Sequence, residues 1–173
     1  MSFIGGNNDF VEFSFEREFN LLYAQVNPTI RTGITKSKKQ VQKNKISNLA
    51  IYEIGKEKLS YFFEEGSINN IKFYFYESTY NEKLERIDFN TENYVLSNNR
   101  KIEKRKLTDK LFVVTENEVG DEYKLWISSK LGTDKKMVKE FSKEIEWSID
   151  VYNKKILFLH KVENGIKIES LNW

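Results

Sequence analysis

The chain has 173 residues, enough to bury a core without covalent staples, and contains no cysteine, which excludes disulfides, thiolate metal sites and cysteine nucleophiles together. Its 28 basic and 26 acidic residues leave a formal charge of +2, too small by itself to call for nucleic acid or anionic lipid. Aromatic residues make up 14% and there is a single proline, so the composition favours sheet and leaves ladder-forming N–H groups almost everywhere.

No apolar run approaches the roughly 18 residues of a membrane-spanning helix. Residues 1–9 lack the basic segment and apolar run of a secretory leader, so the chain as it stands reads as soluble and cytoplasmic. Asp9 is placed to cap a helix whose apolar positions Phe15, Phe19, Leu22, Tyr23 and Val26 recur at helical spacing, with Asn27-Pro28 ending it. A strand reading competes over the first part, where Val11, Phe13 and Phe15 alternate with Glu12 and Ser14. Residues 1–27 are therefore expected to form an N-terminal helix or arm.

From Asn20 to Tyr52 there is no acidic residue, while Arg31, Lys36, Lys38, Lys39, Lys43 and Lys45 accumulate among Thr, Ser, Gln and Asn. With few apolar residues to offset the entropy of ordering, residues 28–46 read as a basic linker or loop.

Residues 47–173 read as an antiparallel β domain. Leu49, Ile51 and Ile54 run to a turn at Gly55-Lys56, and Leu59, Tyr61, Phe62 and Phe63 return. Ile71, Phe73, Tyr74, Phe75 and Tyr76 make a third run, and Leu84, Ile87 and Phe89 a fourth. A polar connection over 90–110 contains the basic residues Arg100, Lys104 and Arg105. Strands resume at 111–115 and, after Gly120-Asp121, at Tyr123, Leu125, Trp126 and Ile127. Met137, Phe141 and Ile145 keep helical spacing, but Ile145, Trp147, Ile149 and Val151 alternate strictly with Glu146, Ser148 and Asp150, the stronger signal. Residues 156–159 precede Asn164-Gly165, a pair suited to the central positions of a type I′ hairpin turn, and Ile166, Ile168 and Leu171 follow.

Residues 111–114, 73–76 and 156–159 are apolar or aromatic on both faces, which calls for cover on both. The fold class expected is mainly β: an antiparallel meander of about 9–10 strands in stacked sheets, with a short N-terminal helix or arm. The order of runs 49–54, 59–64, 71–76 and 84–89 matches that of 123–128, 137–141, 156–160 and 166–171, and so resembles a pair of four-stranded propeller blades without a Trp-Asp signature. A sandwich and a propeller-blade-like stack both satisfy the pattern.

Chemistry is sparsely signalled. The one histidine, His160, ends an apolar strand; Ser148 and Asp150 on the neighbouring strand supply the other residue types of a triad, but no motif such as Gly-x-Ser-x-Gly supports one. The carboxylates Glu116, Glu118, Asp121, Glu122, Glu144, Glu146 and Asp150 read as a solvated surface, and no calcium loop or phosphate-binding glycine motif occurs. No catalytic, cofactor-binding or metal-ligating residue is assigned. The expectation is a non-enzymatic module that binds another protein or itself. The alternatives are a β protein holding a small apolar ligand, and one binding single-stranded nucleic acid through Arg31, Lys36, Lys38, Lys39, Arg100, Lys104 and Arg105. Trp173 reads as closing a core.

Overall fold

The structure, a computed structural model, describes residues 13–16, 18–32, 38–41, 45–77, 108–150 and 153–173. These residues are mainly β, with antiparallel strands and no α-helix. The chain divides into two compact units, Met1–Ile71 and Lys72–Trp173.

The first unit holds β1 (Phe13–Glu16), β2 (Leu21–Val26), β3 (Thr29–Thr32), β4 (Lys38–Val41), β5 (Asn48–Glu53) and β6 (Lys58–Tyr61). Four of these form one sheet in the order β1-β2-β5-β6, while β3 and β4 pair only with each other. The helix expected within residues 1–27 is absent from the described part, where β1 and β2 form a hairpin with Phe15 opposite Leu22. Burial explains the difference. Leu21 and Tyr23, two apart, are fully buried, whereas Phe19, one of the helical-spacing positions, is 44% exposed in the turn. That turn carries Asn20 at φ 55, and the Glu16 carboxylate accepts the Phe19 N–H at 2.7 Å. The apolar alternation and the ladder to β5, with Tyr23 opposite Ile51, outweigh helical spacing that no other element supports.

The hairpin read around Gly55-Lys56 is present: β5 passes through a single 3-10 turn, Ile54–Lys56, to β6. Where the chain leaves β6, buried Asn48 acts as a substitute piece of backbone. Its Oδ1 accepts the N–H groups of Leu49 and Phe63, and its Nδ2 donates to the carbonyls of Phe63 and Glu64 at 3.2 Å each. Phe62 and Phe63 are thereby held inside, their rings edge to face at 4.8 Å.

The second unit takes β7 (Ile71–Tyr76) from Lys72 onward, then β8 (Leu111–Glu116), β9 (Glu122–Ser128) and β10 (Lys136–Ser142), forming a sheet in the order β10-β9-β8-β7. β11 (Glu146–Asp150), β12 (Lys155–Val162) and β13 (Gly165–Asn172) form a second sheet in that order. The two sheets share one core: Phe112, Val114, Leu125, Ile127 and Phe141 from the first meet Ile149, Ile156 and Phe158 from the second. Phe141 and Phe158 pack edge to face at 5.0 Å, and Trp173 sets its ring against Phe112 at 4.8 Å. The two sheets are thus stacked through a common apolar face. The runs matched as two blades fall into different sheets, since 123–128 and 137–141 lie in β9 and β10 while 156–160 and 166–171 lie in β12 and β13.

The run 137–141 is a strand, β10, which buries Phe141 while leaving Met137 44% exposed. Two finer expectations change. The β12–β13 hairpin closes with Val162 opposite Gly165, so its central residues are Glu163 and Asn164, neither with positive φ, and the type I′ turn on Asn164-Gly165 does not form. The register is held along the strands: Ile156 lies opposite Leu171, and the Trp173 N–H reaches the Lys154 carbonyl at 3.1 Å. Finally, β8 is buried on both faces, through Leu111 and Val113 on one and Phe112 and Val114 on the other, but β12 is not.

Candidate interaction surface

Along β12, Ile156 and Phe158 are fully buried, while Leu157 and Leu159, which alternate with them, are only half-buried. Leu159 lies opposite Ile168, and Lys161 opposite Ile166. Residues directly opposite in an antiparallel pair share a face, so Leu157, Leu159, Ile166 and Ile168 form one apolar patch on the outer side of this sheet. Ile166 and Ile168 are 61% and 59% exposed. The patch is rimmed by charge: Glu146 lies opposite Leu159 and pairs with Lys161 at 3.0 Å, and Asp150 lies opposite Lys155.

β13 is the end strand of its sheet, and Gly165 to Ser170 are all exposed. Hydrogen bonding in an antiparallel ladder alternates. Because the Trp173 N–H bonds toward β12, the odd-numbered residues of β13 face β12 with their backbone groups. The N–H and C=O groups of Ile166, Ile168 and Ser170 therefore point to the open edge. On the core-facing side of the same strand stand Lys167, opposite His160, and Glu169, opposite Phe158. Glu169 pairs with Lys139 at 2.5 Å and lies 3.4 Å from His160 Nε2. The Lys139 ammonium, then His160, holds the Glu169 carboxyl below its ordinary value. Lys139 Nζ also sits 4.9 Å from the centre of the Phe158 ring, so one lysine covers the end of the core and anchors the edge strand. Lys167 makes no ion pair among the described residues.

The residues singled out for an anionic partner are only partly in view. Arg31 lies on β3, and Lys38 and Lys39 on β4, with the backbone register placing Arg31 opposite Lys39 and Thr32 opposite Lys38. Lys36, Arg100, Lys104 and Arg105 lie outside the described residues.

The Ser-His-Asp constellation does not assemble. Ser148 and Asp150 lie opposite Leu157 and Lys155, on the outer face, whereas His160 shares the face of Phe158. Asp150 instead accepts the backbone and side-chain N–H groups of Asn153 at 3.0 and 2.7 Å, fixing the turn into β12. Among the expected surface carboxylates, Glu116 is an exception: its side chain is only 7% exposed and bridges Lys143 at 2.5 Å and Lys72 at 3.0 Å. The lysine hydrogen bonds, Lys143 first, hold its carboxyl below the ordinary value, and the carboxylate raises that of Lys143 in turn.

Two further polar features were not visible in the sequence. Lys130 is fully buried, its Nζ donating to the Glu77 carbonyl at 2.6 Å, while its backbone N–H donates to Asp109 at 2.8 Å. The buried Glu77 carboxylate accepts both the N–H and the hydroxyl of Thr108, at 3.1 and 2.6 Å. This clasp joins positions 31 residues apart. In the first unit a cleft of about 360 Å³ is lined by Val26, Pro28, Asn48, Tyr61, Ser67 and Ile68, among others. Of the polar side chains lining it, Asn27, Ser47, Asn48 and Ser67 bond to the chain's own backbone, Ser67 to the Glu64 carbonyl at 2.6 Å. No group of three or more potential metal ligands occurs among the described residues, and no helix there is long and apolar enough to cross a membrane.

No family model, no curated protein and no solved structure matches this chain.

Proposed function

We propose that the protein is a non-enzymatic interaction module that binds another polypeptide by strand addition to the open edge of β13. The observation that supports this reading is the exposure of Ile166 and Ile168, 61% and 59%, on a strand whose outward backbone groups belong to those same residues. An added strand gains main-chain hydrogen bonds from the edge and side-chain specificity from the alternating positions beside it. The apolar patch continued by Leu157 and Leu159 adds an area whose burial favours association. β11, the other end of the same sheet, is shorter and presents Glu146, Ser148 and Asp150 on its outer side, features that discourage pairing.

A photo-cross-linking residue at Ile168, compared with the same residue at exposed Lys58, tests the reading. Polypeptide adducts confined to position 168, together with slowed hydrogen exchange at the N–H groups of residues 166, 168 and 170, are the expected outcome. Equal labelling from both positions would sink it.

A second reading rests on the β3–β4 hairpin, where Arg31 lies directly across from Lys39. That backbone register brings two basic positions of the acid-free segment to one place on a hairpin, and single-stranded nucleic acid is an anionic partner of the matching charge. Lys38→Gln with Lys39→Gln should then reduce binding to single-stranded RNA or DNA and flatten its salt dependence. Unchanged binding, or none in either protein, removes this alternative.

A further inference from the structure

Building on the strand-addition reading, we infer that the polypeptide β13 accepts is β13 of a second copy, in a two-fold antiparallel pairing centred on Ile168. The charge pattern of the edge selects both the partner and the register. In an antiparallel pair, outward-pointing backbone groups meet outward-pointing groups, so even-numbered residues of β13 pair with even-numbered residues and odd with odd. Three symmetric registers keep the middles of the strands aligned. Centring on Lys167 sets lysine against lysine, and centring on Glu169 sets glutamate against glutamate. Centring on Ile168 sets Lys167 of each copy against Glu169 of the other, twice.

The remaining positions agree with that register. Ile168 meets Ile168 of the second copy, and Ile166 meets Ser170, so about six backbone hydrogen bonds form across the seam. Because opposite residues share a face, the outer patches of Leu157, Leu159, Ile166 and Ile168 merge across a six-stranded sheet. Lys167, which makes no ion pair among the described residues, gains a carboxylate. Glu169, already paired with Lys139, becomes the centre of a small network of charges. A lysine on an edge strand by itself discourages pairing; Glu169 two residues further on reverses this for one partner and one register. The interface is isologous and closes on itself, so it yields dimers and not fibres.

Sedimentation equilibrium on the full chain across a range of concentrations tests the inference. The unmodified protein is expected to dimerise. Lys167→Glu and Glu169→Lys each place two like-charged pairs at the seam and should each weaken the dimer by about tenfold or more. An equimolar mixture of the two variants restores both pairs and should recover association between unlike chains; this recovery also shows that both variants are folded.

The absence of cysteine gives an independent check of register. Paired residues centred on Ile168 lie about 5.5 Å apart at Cα, within reach of a disulfide. Ile168→Cys should therefore oxidise to a dimer by itself, whereas Ile166→Cys should do so only when mixed with Ser170→Cys. A protein that stays monomeric, a Lys167→Glu variant that associates undiminished, or preferential self-linking of Ile166→Cys would each overturn the inference. If the protein is monomeric but position 168 still cross-links to a different polypeptide, strand addition stands and self-pairing falls. If it is monomeric and shows no position-specific adduct, both fall.

Discussion

Lys130 Nζ lies 2.6 Å from the carbonyl oxygen of Glu77, with the lysine fully buried and the Glu77 side chain 1% exposed. The pair is held by a wider clasp, in which Thr108 bonds the Glu77 carboxylate and Asp109 bonds the Lys130 backbone. A buried ammonium is costly to desolvate, and here its hydrogen bond to the Glu77 main-chain carbonyl offsets part of that cost. Lys130→Met keeps the length of the side chain but removes the charge. It is expected to cost about 1–3 kcal/mol of stability, the range for a lost hydrogen bond from a charged donor, read as a lower urea midpoint at unchanged slope. A loss under about 0.5 kcal/mol, the range of ordinary surface changes, would show that the clasp contributes little.

The joint between the sheets of the second unit rests on Phe158, fully buried against Phe141. Phe158→Ala should destabilise by about 3–5 kcal/mol, the usual range for emptying such a site. Ile168→Ala, on the outer face one register position away, should change monomer stability by no more than about 0.5 kcal/mol. Chemical denaturation of the two variants side by side checks the assignment of inner and outer faces.

Asn48 makes four hydrogen bonds to the backbone of the first unit. Asn48→Ala orphans several buried groups at once and should cost about 2–3 kcal/mol. Hydrogen exchange should speed up at Leu49 and Phe63, the N–H donors to its Oδ1, and stay unchanged in β11 to β13.

Acid should weaken the second unit through Glu116. Its carboxyl is held below the ordinary value of 4.5, first by Lys143 and then by Lys72. A depressed carboxyl contributes stability that is complete above its unfolded value and is lost as pH falls through its folded value. The thermal midpoint of the unmodified protein should therefore drop below pH 4.5, and Glu116→Gln should drop less over the same window. Lys143 has the opposite sign: raised by Glu116, its contribution is complete below its ordinary value of 10.5 and fades as pH rises through the raised one.

Much of the architecture was legible in the residues because a half-buried strand writes its period directly into the chain. The runs around Leu49, Ile71, Leu111, Tyr123 and Ile156 all became strands near the expected positions. The N-terminal helix failed because Phe15, Phe19, Leu22 and Val26 keep helical spacing while Leu21 and Tyr23 keep strand alternation over the same short stretch, and a neighbouring strand settled the matter. The candidate surface was harder to see. Ile166-Lys167-Ile168-Glu169 reads as isoleucines in and charges out, yet the isoleucines face outward. Position on the sheet, and not polarity, placed them there: Ile156, Phe158 and Leu171 already occupy the core face, and Lys167 and Glu169 extend beyond its rim.

By itself, then, the sequence determined a cysteine-free β protein, most of its strands and the approximate places of its turns, because these depend on local period and local backbone preference. Tertiary structure decided which strands share a sheet, that Glu163-Asn164 and not Asn164-Gly165 turns the last hairpin, and which face of β13 meets water. Those outcomes depend on partners far away along the chain. A shift of register by two residues preserves the alternation of faces while changing every neighbour, so the pattern of residues alone holds no record of it.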